Sequence, residues 1–338
     1  MIKQNRLEYF DLARAVAVIG VMAVHAAQVT GKSIVPISLW ELGRFGVQLF
    51  FLISGATVAL TYSKIQNNYS KPIRVFLIRR FFRIVPLFML MGMYYSYQKN
   101  INIFAVLSPM SLVNPHTINS IAGGWSIWNE LFFYLLFPVY FKIREKSAKV
   151  FVFYCLMIIF SVAVNFRFWT FTDSFEWTTY DYENFATQLV PFILGVEYIL
   201  GNKNRVLLVF SFFIPSIIIK SLWFPESLMV ADYGANYYLV LISLIGILVI
   251  NIFKKLTPLF MDGMTKRLLL TIGRMTYTLY MIHFVIIEVF RPFMEVSYAE
   301  LNILVISIIS VVISKLIQPY TEIVFSNFGY KITDKYKL

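Results

Sequence analysis

The chain is short of the residues that make a water-soluble surface. Only 14% of its 338 residues are charged, against 59% apolar, whereas soluble domains carry about a quarter charged residues. With a mean hydropathy of +0.69, a water-soluble globule is excluded, because it could not hide so much apolar surface. Cysteine is reduced to Cys155, inside an apolar run, which excludes an intramolecular disulfide and leaves the redox compartment unread. Three histidines are too few for a His-rich metal centre. No zinc motif, Walker-type Gly-Lys-Ser/Thr loop, His-x-x-Glu-His arrangement or Gly-x-Ser-x-Gly elbow occurs, so no metal is expected. Internal repeats, heptads, low-complexity tracts and long polar linkers are also missing, and one membrane domain spanning 1–338, with no appended soluble domain, is the expectation.

What is present is a series of apolar runs near the length that crosses a hydrocarbon core of ~30 Å. Ten lie near 9–29, 43–62, 83–98, 126–142, 150–166, 186–201, 205–222, 237–253, 268–290 and 301–320. The expected fold is therefore all-α, a polytopic bundle of about ten transmembrane helices. Pro86, Pro138, Pro191 and Pro215 fall in these runs; neighbouring helices can satisfy the backbone groups that proline frees inside a membrane bundle. The first run contains Asp11, Arg14 and His25 and lacks a small-residue cleavage site, which argues for a retained helix over a removed signal peptide.

A net charge of +12 would suit a nucleic-acid binder, but the basic residues stand in short blocks between the runs. Lys3 and Arg6, the block from Lys64 to Arg83, Lys142 to Lys149, Lys203 and Arg205, Lys254 to Arg274, and Lys331 to Lys337 alternate with loops holding Asp173, Glu176, Asp181, Glu183, Glu226, Asp232, Glu295 and Glu300. Such alternation predicts both termini on the cytoplasmic side of the cell membrane, a lipid-bilayer partner and no nucleic-acid partner. The polar connections near 99–125 and 167–185 are long enough to cover an acceptor site.

Ionisable side chains inside a span cost about 2.5–3.5 kcal/mol or more at the bilayer centre, so each needs a partner, a cavity or a function. Arg14 and His25 are eleven residues apart, which returns them to nearly one helical face, ~16 Å apart along the axis. Asp11 can pair with Arg14 at the boundary. Glu130 opens the fourth run and reaches a depth similar to His25, and its bland reading is stabilisation of a helix N-terminus. Glu197 falls at an inner helix end, where snorkelling suffices, while His283 and Glu288 do not share a face well. Arg79, Arg80 and Arg83 either anchor anionic head groups or let Arg80 and Arg83, three residues apart, grip a phosphate. Ser54 reads as a small packing residue before Gly55.

Several of these segments resemble the acyltransferase-3 family of membrane O-acyltransferases, in the family's order and across most of the chain. The segments are Arg6, Asp11 and Arg14 followed by His25; Gly46 to Gly55, with Gln48 where an acid is common; Arg80-Phe81-Phe82-Arg83-Ile84-Val85-Pro86; Gly123-Gly124-Trp125-Ser126 through Glu130 to Tyr134; and Gly273 to His283, with Thr276 where serine is usual. The resemblance implies a ten-helix core, a cytoplasmic acyl-coenzyme A donor and a sugar hydroxyl acceptor at the outer face.

A sugar hydroxyl needs a general base, and an imidazole with pKa near 7 is the natural one. His25 is the expected base, with Glu130 either orienting it, the favoured role, or itself sharing the proton work. Arg14, Arg80 and Arg83 would hold the acyl-CoA phosphates, with Asp11, Trp125, Ser126 and His283 in support. Acetyl-CoA is the simplest co-substrate, and a glycan or lipid-linked glycan the acceptor. Aromatics such as Trp125, Trp128, Trp169 and Trp177 either stack on sugar rings or form the interfacial belt. A glycolipid or polysaccharide transporter without covalent chemistry is the alternative, and a non-catalytic scaffold leaves the buried charges without a purpose.

Overall fold

The computed structural model describes residues 7–108, 121–146, 148–153, 155–156, 185–201, 236–259 and 263–335, and every regular element among them is helical. Hydrocarbon offers no partner for exposed N–H and C=O groups, so spanning segments close their hydrogen bonds internally. The elements are α1 (Glu8–Ala27), α2 (Ile37–Glu41), a 3-10 turn (Leu42–Phe45), α3 (Gly46–Asn68), α4 (Pro72–Lys99), α5 (Ile103–Val106), α6 (Gly124–Ile143), α7 (Phe185–Ile199), α8 (Asn236–Leu256), α9 (Met264–Arg274), α10 (Thr276–Met294), α11 (Ala299–Ile317) and α12 (Glu322–Lys335). Among the described residues, four stretches are long and apolar enough to cross a membrane: Glu8–Ala27, Ile37–Asn68, Thr276–Met294 and Ala299–Lys335.

The α11 helix is built inside out relative to a soluble helix. Leu301, Leu304, Ile308, Val312 and Leu316 are exposed at three- and four-residue steps, whereas Asn302, Ile306, Ser310 and Ser314 are buried. A continuous aliphatic stripe on the outside needs a hydrocarbon solvent, and small residues on the inside let neighbouring helices approach.

Most of the apolar runs fall on helices, with Pro86, Pro138 and Pro191 inside α4, α6 and α7. The run near 205–222, with Pro215, and most of that near 150–166 lie outside the described residues. Two runs differ from expectation. That of 83–98 is the later part of a longer helix beginning at Pro72. That of 268–290 is two helices, parted at Met275, whose backbone (φ −96°, ψ 6°) leaves the α-helical region. Here the Thr276 hydroxyl donates to the Gly273 carbonyl at 2.8 Å, and such local side-chain bonds compete with the helical ladder.

The chain forms two compact units. The first comprises Met1–Ile53 and Ile245–Phe325. In it α1 packs against α9, α10 and α11, and Ala15, Val18, Met22, Ile272, Met275 and Leu279 make one apolar core while Ala26, Ile282, Ile286, Ile287, Met294 and Ile306 make another. A Cβ at Gly273 would collide with the backbone carbonyl of Asp11, so glycine is what lets α9 lie directly on α1. Glu300 ties the segment after α1 to the start of α11, accepting from the Ser33 hydroxyl at 2.8 Å and from the N–H groups of Ile34 and Val35 at 3.0 Å each.

The second unit comprises Ser54–Leu244 and Ser326–Leu338. Its core is aromatic: Tyr62 meets Phe76 and Phe137 edge-on, and Phe133 stacks on Phe192 at 4.2 Å. Glu197 is fully buried, not snorkelling as expected, and accepts from Arg144 at 2.8 and 3.1 Å and from the Tyr140 hydroxyl at 2.9 Å. A buried carboxylate requires that full set of partners, because an uncompensated charge there is costly.

Candidate functional site

Polar side chains gather in one cluster series within the first unit and another within the second. In the first, α1 carries Asp11, Arg14 and His25. Asp11, fully buried, accepts from Arg14 at 3.0 Å, as the sequence suggested, and its other carboxylate oxygen lies 3.7 Å from Arg274 Nε. Two guanidinium groups thus converge on one carboxylate. Arg274 was read in the sequence only as a topology charge, and no spacing signal links it to Asp11.

His25 lies in the last turn of α1 and is half-buried. Its ring centroid is 5.6 Å from that of His283 on α10 and 4.7 Å from that of Phe284. The Gln28 side chain and the charge of Arg44 both act electrostatically on the His25 imidazole. His283 is fully buried, with Nδ1 3.2 Å from the Leu279 carbonyl oxygen. A carbonyl only accepts, so Nδ1 carries the proton and Nε2 presents a lone pair. Among the described residues, Nε2 is buried with no hydrogen-bond partner. Sequence spacing compared His283 with Glu288 on its own helix, whereas its ring neighbour is His25 on another.

In the second unit the centre is Glu130, the seventh residue of α6, which begins at Gly124. Helix-dipole stabilisation fades within the first turn, so the bland reading of Glu130 does not fit its position. One Glu130 carboxylate oxygen accepts from the Ser54 hydroxyl at 2.6 Å and from the Tyr134 hydroxyl; the two hydroxyl oxygens are 3.1 Å apart. Tyr134 stands four residues after Glu130, one turn along the same face. Arg80 lies over the Tyr134 ring, 5.1 Å from its centroid, and over Phe76 at 5.6 Å. The charges of Arg80 and Arg83 both act on the Tyr134 hydroxyl. The sequence separated these residues, with Arg80 and Arg83 inward and Glu130 outward; Tyr134 touches both Arg80 and Glu130, because its ring spans the gap.

Glu130 and His25 belong to different units, and the described hydrogen bonds of Glu130 go to Ser54 and Tyr134. Trp125 and Ser126 are buried in the first turn of α6, where the Ser126 hydroxyl donates to the Gly123 carbonyl at 2.9 Å. Gly123 takes a left-handed φ of 70° at this helix start, a conformation that favours glycine. Trp128 meets Phe88 edge-on at 5.6 Å, a packing role, while Trp169, Trp177 and most of the long polar connections lie outside the described residues. Among the described residues no group of three or more His, Cys, Asp or Glu could hold a metal ion.

Apolar helices with an aliphatic exterior and ionisable groups turned inward define an integral membrane protein with polar chemistry in its interior. The acyltransferase domain family is matched over residues 7–317, and no curated protein and no solved structure matches the chain. The chain belongs to the acyltransferase-3 family and is a membrane acyltransferase.

Proposed function

We propose that the protein is a membrane O-acyltransferase of the cytoplasmic membrane, with about ten spans and both termini inside. It moves an acyl group, most simply acetyl, from cytoplasmic acyl-CoA to a sugar hydroxyl of a surface polysaccharide or its lipid-linked precursor. The observation that carries this reading is the His25–His283 imidazole pair inside a chain of acyltransferase lineage. His25 takes the proton from the acceptor hydroxyl as its oxygen attacks the thioester carbonyl. The new C–O bond forms, the C–S bond breaks, and the proton passes to the departing thiolate, giving free coenzyme A and the ester. His283 supports the base, Glu130 with Ser54 and Tyr134 supplies a second proton-sharing group, and Arg14, Arg80 and Arg83 bind the phosphates of the donor by charge-assisted hydrogen bonds. Asp11, Trp125 and Ser126 hold these elements in place.

The test is mass spectrometry of surface glycans from cells with and without the gene. An acyl-sized mass lost with the gene, and not restored by His25→Ala, supports the reading; identical glycans in both strains remove it.

A further inference from the structure

Helix α4 turns two adjacent faces to different partners. Arg79 and Phe82 share one face and Arg80 and Arg83 the next, each pair three residues apart. The first face is covered by residues 326–335 of α12, which lie beyond the matched family span. Arg79 donates to Asp334 at 2.8 Å, to the Tyr69 hydroxyl at 2.6 Å and to the Thr333 hydroxyl at 2.9 Å. Its guanidinium also stands 4.4 Å from the Tyr330 ring centroid and 4.8 Å from that of Tyr69. Tyr69 donates in turn to Asp334 at 2.7 Å, and burial, with help from Asp334, pushes the Tyr69 hydroxyl above its ordinary range, so it stays a donor. One turn on, Phe328 meets Phe82 edge-on at 5.1 Å, and a Cβ at Gly329 would stand 2.9 Å from the Phe82 Cβ.

Asp334 is 58% exposed, and an exposed ion pair by itself contributes little. What fixes the guanidinium is its enclosure by two rings, two hydroxyls and a carboxylate, with the Phe82–Phe328 contact beside it. A helix held along one face cannot rotate about its axis, so the neighbouring face is aimed as well.

We infer that the end of α12 clamps α4 and thereby aims Arg80 and Arg83, making Arg79, Asp334 and Phe328 positioning residues for acyl-donor binding. The inference rests on the reading of Arg80 and Arg83 as donor-binding residues.

The experiment uses the purified full chain in detergent, with coenzyme A as probe and its affinity read by calorimetry. Asp334→Asn and Phe328→Ala weaken coenzyme A binding by about 2- to 30-fold, the range for changes within a coupled network. Asp334→Glu, which keeps the charge, stays within about twofold, and melting temperatures of the folded variants match the parent. Should Asp334→Asn fail to fold, Tyr69→Phe, which removes only the shared hydroxyl, carries the same expectation. Unchanged affinity in the folded clamp variants, with Arg80→Gln still weakening binding, overturns the clamp and leaves the donor reading standing. Unchanged affinity in Arg80→Gln removes the donor reading and the clamp with it.

Discussion

The imidazole rings of His25 and His283 lie 5.6 Å apart between centroids, tilted by 32°, although the first closes α1 and the second sits mid-way along α10. Placing His283 Nε2, which is buried with no hydrogen-bond partner among the described residues, beside the expected base gives that base a second proton acceptor. His283→Asn is predicted to lower turnover by about 10- to 100-fold, less than the loss of a general base itself, with donor affinity unchanged. Acceptor acylation by membranes expressing the variant, alongside calorimetric coenzyme A binding, checks both halves.

Glu130→Gln keeps the size of the side chain and removes its charge, so the two hydroxyls lose their carboxylate acceptor. Acyl transfer is predicted to fall by about 100-fold or more. Tyr134→Phe leaves the carboxylate with the Ser54 hydroxyl and is predicted to cost about tenfold. The same membrane assay, normalised to protein amount, ranks the two.

Glu197 has the features of a structural brace, fully buried on Arg144 and Tyr140. Glu197→Ala strands the Arg144 charge and is predicted to destabilise the fold by about 3–5 kcal/mol. Unfolding in detergent reports this as a lowered melting temperature, and the fraction that remains folded retains parental donor affinity.

Gly273→Ala puts a methyl group into the Asp11 backbone. Overpacking costs about 1–3 kcal/mol where neighbours can shift, and a backbone carbonyl yields less readily than a side chain. The variant is predicted to melt earlier and, by moving α9 from α1, to displace Arg274 from Asp11. Melting curves of Gly273→Ala with and without Arg274→Gln test the coupling: the second change adds less in the alanine background than alone.

His25, Arg14 and Glu130 were legible in the sequence because a charge inside an apolar run is conspicuous and physically expensive. So were most of the long helices among the described residues, from run length alone. The break at Met275 was hidden, since the apolar run continues through Arg274 and Thr276 and the hydroxyl bond from Thr276 to Gly273 that accompanies the break leaves no trace in hydropathy. Ser54 and Tyr134 were hidden because hydroxyl side chains are ordinary in such helices and their meeting at Glu130 is a tertiary fact, although the four-residue step from Glu130 to Tyr134 was visible. Arg79, Arg80 and Arg83 share one charge signature at the membrane edge; only the packing of α12 separates Arg79 from the other two.

The central claim is that a histidine in α1 performs acyl transfer, and thiol release measures it most directly. Reconstituted protein given acetyl-CoA and a surface-glycan acceptor is predicted to release one free thiol for each ester formed, and His25→Ala to lose about 100-fold or more of both while still binding coenzyme A. Ester formation at the parental rate in a folded His25→Ala protein, or acceptor movement across the membrane with no thiol released, would contradict it.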